Sequence, residues 1–262
     1  MAMTAGSRPR ARRMRDVLTV LTRSDLQVRY GRGRLRFLKW VLDPIAALGI
    51  YLLLVAFVLD QGTLATGLSL ACAIVPFQLL LSSIVNAISA VQLRSSIILN
   101  MRFPRLLIPV SSVLTESVAF VATLLLLPAM MLAYGIAPTA AILWLPLCLA
   151  ATVALALAFA YPATLVGVWY PELQPFVVSV ARAAFFLAPG LVALDLVGGL
   201  TRELLPFNPL TGLFESYRDA LLYGQSPQAW EFLVPFAAAA VVLAVSLPVY
   251  VRDQARLAKL VG

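Results

Sequence analysis

"SVAFVATLLLLPAMMLAYGIAPTAAILWLPLCLAATVALALAFAYPATLVGVWYP", residues 117–171, runs for 55 residues without a charged side chain. As one α-helix it would be roughly 80 Å long, far beyond the ~30 Å hydrocarbon core of a bilayer. It must therefore fold back once. The place is "YGIAP", Tyr134 to Pro138, where Gly135 and Pro138 form a natural turn. Two spans emerge, 107–134 and 140–168. The whole chain agrees, being 61% hydrophobic and 12% charged, where soluble domains carry about 25% charged residues.

Applied outward, the same length criterion gives four more spans, at 37–59, 67–91, 176–194 and 232–251. The expected fold is an all-α integral membrane protein with six transmembrane helices. Residues 1–36 form a cytoplasmic basic tail with an amphipathic interface helix, and 37–262 form the transmembrane domain. The start, "MAMTAGSRPRARRMRD", has arginines but no apolar segment directly behind it, so no cleavable signal peptide is expected. There is no histidine, and Cys72 and Cys148 both lie in apolar runs. That argues against a metal centre and a disulfide framework, and for two small packing residues.

The net charge of +8 is placed for a membrane rather than for nucleic acid. Eleven of the 20 Lys/Arg residues precede residue 40. With the N-terminus inside, cytoplasmic segments hold 17 of the 20, including Arg94, Arg102, Arg105, Arg252, Arg256 and Lys259. The outer segments keep Arg202 and Arg218 against Asp195, Glu203, Glu215, Asp219 and Glu231. Both termini are therefore expected on the cytoplasmic side.

Two segments are neither span nor simple loop. In "DVLTVLTRSDLQVRYGRGRLRF", residues 16–37, Val17, Leu21, Ser24 and Val28 share a helical face, with Arg23, Asp25 and Arg29 off it. Such a helix lies along the inner leaflet until Gly31 and Gly33 turn the chain into the first span. Residues 195–231 are too long for a turn and too apolar for a solvated loop. There "PFNPL" breaks helix, and "LTGLFESYRDALLYG" forms a short amphipathic one ended by Gly224. A re-entrant or surface-lying outer element is expected, since bare backbone at membrane depth needs shielding by protein or a water-filled cavity.

A third stretch, "NMRFPRLLIPVSSVL", residues 100–114, sets two arginines and two prolines between apolar runs. Ordinary positive-inside charge would explain Arg102 and Arg105, but not Phe103 or the paired Pro104 and Pro109.

Together, three stretches resemble the transmembrane subunits of polysaccharide-exporting ABC transporters, the ABC-2 type permeases for O-antigen, teichoic acid or galactan. The first is "DLQVRYGRGRLRFLKWVLDP", with Asp25, Leu26, Val28, Arg29, Tyr30, Leu35, Trp40 and Pro44. The second is Phe103, Pro104, Arg105, Pro109, Ser111 and Ser112. The third is "FNPLTGLFESYRDALLYG", with Asn208, Pro209, Leu210, Tyr217, Arg218 and Gly224. Two departures stand out: Leu106 where the family commonly has an acid, and "WYPELQPF" in place of an Arg-Asp pair before span five.

The resemblance implies a short cytoplasmic coupling helix in the loop 92–106, with Asn100, Arg102, Phe103, Pro104 and Arg105 docking on a separate ATPase subunit. It further implies an inner-face gate of Arg29, Tyr30, Trp169, Tyr170 and Glu172. An outer-face gate of Asn208, Pro209, Tyr217 and Arg218 would lie in 195–231, and the substrate would be a lipid-linked polysaccharide. The chain contains no GxxxxGK[ST] run and no Gly-Lys pair at all. ATP and Mg are accordingly expected on the partner, and this chain is not expected to be an enzyme or to hold a cofactor.

Ionisable groups within spans are functional candidates by default. Glu116 and Arg182 both enter from the inner side, so they either pair with each other or line one chamber, where Arg182 would meet a lipid-linked phosphate. Phe185 and Phe186 lie too deep for interfacial anchors, and either line a sugar conduit or pack helices. Six helices enclose little beyond their own side chains, so a glycan conduit calls for two copies about a two-fold axis and two ATP-binding cassette subunits beneath. Competing readings are an ABC-2 permease for a drug, lipid or other small hydrophobic substrate, and a secondary transporter. The latter predicts internal repeats, which the sequence does not show.

Overall fold

The structure, a computed structural model, describes residues 10–30, 42, 45, 46, 49, 64–94, 104–191 and 193–254. Every regular element among them is helical. Predicted span one, 37–59, lies outside the continuously described segments.

Four helices are long and apolar enough to cross a membrane: Gly67–Leu93, Leu107–Ala133, Ala140–Trp169 and Ala229–Asp253. They correspond to predicted spans two, three, four and six within a few residues. The elements are α1 (Arg10–Tyr30), α2 (Leu64–Leu93), α3 (Leu107–Leu124), α4 (Leu126–Ala133) and α5 (Leu145–Trp169). There follow α6 (Gln174–Leu187), α7 (Leu200–Leu204), α8 (Pro209–Arg218) and α9 (Ala229–Asp253). α3 and α4 form one span with an irregular step at Leu125, three residues before Pro128, whose ring nitrogen donates no hydrogen bond to the previous turn. The turn after α4 falls at Gly135, whose φ of 72° is left-handed, as the reading of "YGIAP" requires.

α2 is the most enclosed span and makes its largest interface with α5. The α5 side of that contact is small: Ala156, Ala160, Ala163 and Gly167 recur at helical spacing and are all buried. Small residues let membrane helices approach closely where apolar burial alone gives no preference over lipid. At Gly167 a Cβ would stand 1.9 Å from the carbonyl oxygen of Ile88. The other helices assemble around this pair, α3 on α2 and α9 on α5.

The range predicted as span five is not one continuous helix. α6 has 14 residues and stops at Leu187, with Ala188 extended, so it covers only ~21 Å. Pro189 and Gly190 follow at once, a pair that does not continue helix. Beyond them the chain forms short turns and α8, which inserts against α2, α5 and α9. Every residue from Leu210 to Arg218 is buried, so of the two placements expected for this segment, re-entrant or surface-lying, the surface-lying one does not hold and α8 is a core element. Its extension is a π-helical turn, Asp219–Tyr223, ended by Gly224 at φ 64°.

α1 is described as far as Tyr30 and packs on α3, and the expected turn at Gly31 and Gly33 lies outside the described residues. Leu21 is buried and Arg23 exposed, as the apolar stripe implies. Asp25 differs, because it turns inward to an arginine.

Candidate functional site

At the α1 end of the bundle, polar contacts tie five helices together. Arg94, at the foot of α2, is buried and pairs with Asp25 of α1. Its Nη1 also donates to Ser112 Oγ of α3 at 3.3 Å. Thr115 Oγ1 donates to Asp25 at 3.4 Å. A second knot holds the elbow at the start of α3. Tyr250 Oη of α9 donates to the Arg105 carbonyl at 3.0 Å, and Tyr161 Oη of α5 to the Leu106 carbonyl at 3.3 Å. The two tyrosine rings meet edge to face at 5.2 Å. Arg105 in turn donates to the Gln254 carbonyl beyond α9. The stretch linking α2 to α3 is thus anchored on both sides.

Of the expected coupling residues, Asn100, Arg102 and Phe103 lie outside the described residues. Pro104 is exposed. Arg105 is directed at least partly inward, at the end of α9. Of the inner-face set, Arg29 and Tyr30 lie at the end of α1, with side chains outside those described. Trp169, Tyr170 and Glu172 sit together at the exposed end of α5 and in the turn after it.

Beside the first knot lies a cavity of about 500 Å³, walled by α1, α2, α3 and α6. Glu116 and Arg182 both line it, together with Asp25 and Arg94. The two residues are therefore brought to one chamber, and no ion pair between them occurs among the described residues. Glu116 accepts from Asn86 Nδ2 at 3.2 Å, and Arg182 pairs with no described residue. α2 presents Gln78, Ser82, Asn86 and Ser89 to the same space, residues the sequence reading passed over. The signal was there as i, i+4, i+8, i+11 spacing, but in a charge-free run it read as ordinary span. On the other side of α6, between α2 and α5, is an apolar groove of about 380 Å³.

The two phenylalanines part company. Phe185 is buried between Phe77 (centroids 5.0 Å apart) and Phe214 (5.8 Å), so its ring faces are taken up by packing. Phe186 is 63% exposed, with its ring edge to face against Phe185 at 5.5 Å.

At the opposite end, Asn208 caps α8, its Oδ1 accepting from Leu210 N at 3.0 Å, with Pro209 at the first helical position. Tyr217 is fully buried, its hydroxyl 3.1 Å from Thr152 Oγ1. Burial pushes that phenol above its ordinary range. Arg218 is fully buried too. It donates to Glu215 Oε1 at 2.7 Å, the Gly190 carbonyl at 3.2 Å and the Ser69 carbonyl at 3.3 Å. Such a cation is retained because its charge and its donors are met. Glu215 Oε1 also accepts from Leu194 N at 3.0 Å. Burial raises the Asp219 carboxyl, opposed by the hydrogen bond from Gln225 at 2.9 Å and assisted by the Glu215 charge. Tyr217 and Arg218 therefore hold α8 in the core of the bundle. Among the described residues no cluster of three metal-ligating side chains occurs.

No family model matches the chain. Among curated proteins, the "O-antigen export system permease protein RfbA" of Klebsiella pneumoniae is 27% identical over 210 residues, 80% of this chain and 81% of the relative. The protein of the same name from Myxococcus xanthus is 28% identical over 231 residues, 87% of this chain and 88% of its own length.

Proposed function

Starting from its place among the ABC-2 type permeases of polysaccharide exporters, we propose that this chain moves a lipid-linked cell-surface polysaccharide across the inner membrane, driven by ATP hydrolysis on a separate subunit. It is a multi-pass membrane transport subunit. The α1 end faces the cytoplasm in this reading, which the arginine distribution supports. Two copies face each other across a two-fold axis, with two ATP-binding cassette subunits below binding ATP and Mg. Glycans of the O-antigen, teichoic acid or galactan type fit the reading.

The observation that carries coupling is the double anchoring of the stretch between α2 and α3. A push on residues 95–103 is delivered through Arg94 to α1 and α3, and through Arg105 and Leu106 to α5 and α9. An ordinary charged loop has no need of such ties. Arg182 in the chamber is the cation available to a lipid phosphate, and a guanidinium suits that partner. Asn208, Pro209, Tyr217 and Arg218 serve the outer gate by fixing α8, while Trp169, Tyr170 and Glu172 frame the inner mouth.

The test is deletion with complementation. Loss of the chain should abolish surface polysaccharide while lipid-linked glycan accumulates inside, and the purified chain should bring an ATPase with it. Intact surface glycan in the deletion strain, with a small hydrophobic compound retained instead, would favour the drug- or lipid-exporter alternative.

A further inference from the structure

We infer that the α2 stripe Gln78, Ser82, Asn86 and Ser89 is a carbohydrate-binding wall, along which sugar hydroxyls replace water within the permease. The inference rests on the exporter reading and adds to it a surface that neither motif nor relative points to. The stripe recurs at spacings of four, four and three, so it forms one face of α2, ~16 Å long. That face lines the chamber of about 500 Å³, a volume within the ~300–1,000 Å³ usual for ligand sites.

Among the described residues, the stripe's hydroxyls differ from several others in the membrane helices by lying unbonded on a chamber wall, whereas Ser83, also unbonded on α2, is sealed in the core. Ser117, Thr152, Thr164 and Ser246 all donate to the carbonyl of the preceding turn at 2.7–2.8 Å. That is the usual resting place of such a group inside a helix. Ser82 and Ser89 make no such bond, and Gln78 bonds nothing among the described residues. Only Asn86 is engaged, with Glu116. In lipid these unmet groups would each be costly, so the face must meet water or a polar ligand.

Its chemistry selects the ligand class. Amide and hydroxyl side chains both donate and accept, carry no charge, and so match sugar hydroxyls without binding tightly enough to arrest a sliding chain. A dedicated ion path would instead require charges along its length.

The test uses the assembled exporter with Cys72 and Cys148 replaced by Ala. Cysteine is placed at 82, 86 or 89, and at 87 as the control, since Ala87 is wholly buried one position round the helix. A membrane-impermeant maleimide applied to inverted vesicles should label the first three at least tenfold faster than Ala87→Cys. Labelling should fall when lipid-linked glycan accumulates behind an ATPase-dead partner, but not in cells unable to make the glycan. Ser82→Val and Ser89→Val, which remove hydroxyls that bond nothing among the described residues, should together cut export at least fivefold at unchanged protein level. Labelling no faster than at 87, glycan-independent labelling, or full export by the double variant would each overturn the wall. If deletion of the chain leaves surface glycan intact, the exporter reading fails instead, and the two failures are distinct.

Discussion

Gly167→Ala isolates what holds the two central spans together. The added methyl would stand 1.9 Å from the Ile88 carbonyl oxygen, 2.7 Å from its carbon and 3.0 Å from its Cα. Carbon and carbonyl oxygen ordinarily meet no closer than ~3.3 Å, so α5 must retreat from α2 by roughly 1.4 Å. The obstacle is backbone and cannot swing aside, which places the cost near the upper end of overpacking, about 3 kcal/mol. The hydrogen bond from Gln92 Nε2 to the Gly167 carbonyl, 3.3 Å long, would be lost for about 1 kcal/mol. Alanine's better helix propensity returns about 1 kcal/mol. The net is a loss of about 3 kcal/mol, or on the order of 10 °C in unfolding midpoint. The assay is thermal unfolding of the purified chain in detergent, read by size-exclusion of the surviving monodisperse fraction. Gly198→Ala, where a Cβ meets nothing within 4 Å, serves as control and should not move. A Gly167→Ala midpoint within 2 °C of the parent's would refute close α2–α5 packing.

Phe103→Ala should leave membrane insertion intact while ATP hydrolysis continues without export; normal export in cells would reduce residues 100–105 to a charged loop. Asp25→Ala should cost about 3 kcal/mol by stranding the buried Arg94, with Asp25→Ala/Arg94→Leu regaining part of the protein level; a double variant worse than the single would deny the pair. Arg182→Ala should lower export more than abundance, since no described residue depends on it, and equal losses in immunoblot and surface-glycan assays would refute this. For Asp219 the sign follows from its raised carboxyl. Between the unfolded and folded pKa the native state binds more protons, so stability falls as pH rises through that window. Asp219→Asn should therefore flatten the acid-side slope of the melting midpoint, and an unchanged pH profile would contradict the assignment.

Four of the six expected spans were legible because a bilayer imposes one length and one polarity, and both show in single sequence. Gly135 was legible because a left-handed turn leaves few other residues. The depth of α8 was only half legible, because "LTGLFESYRD" carries Glu215, Arg218 and Asp219 and reads equally as a surface-lying or a re-entrant helix. The charges are met inside, Arg218 by Glu215 and by carbonyls 28 and 149 residues away, and nothing local announces such partners. Asp25 with Arg94, 69 residues apart, was hidden for the same reason. Entry from the inner side put Glu116 and Arg182 within reach of one chamber, and one cavity does receive both. Sequence position says nothing about azimuth, so it could not decide between pairing with each other and lining one chamber. Phe185 and Phe186 are adjacent and chemically alike, yet about 100° of rotation sends one into the core and the other out of it.

α2 is the element through which these contacts must act together. Its foot is tied to α1 and α3 by Arg94, and its head to α8 by Arg218 on the Ser69 carbonyl. One flank is locked to α5 at Gly167, and another carries the polar stripe. A helix so enclosed cannot bend gradually to an applied force, since packed interfaces shift between discrete arrangements rather than deform. Displacement at its foot is therefore carried up the helix as far as Pro76, where the missing N–H bond leaves a point at which α2 can bend before its head, or it breaks the Gly167 contact on the way. Under the proposed function this makes α2 both the wall of the path and the rod that links the ATPase end to the α8 end. The glycan contact and the coupling then belong to one helix, so Gly167→Ala should uncouple ATP hydrolysis from export even at temperatures where the protein remains folded.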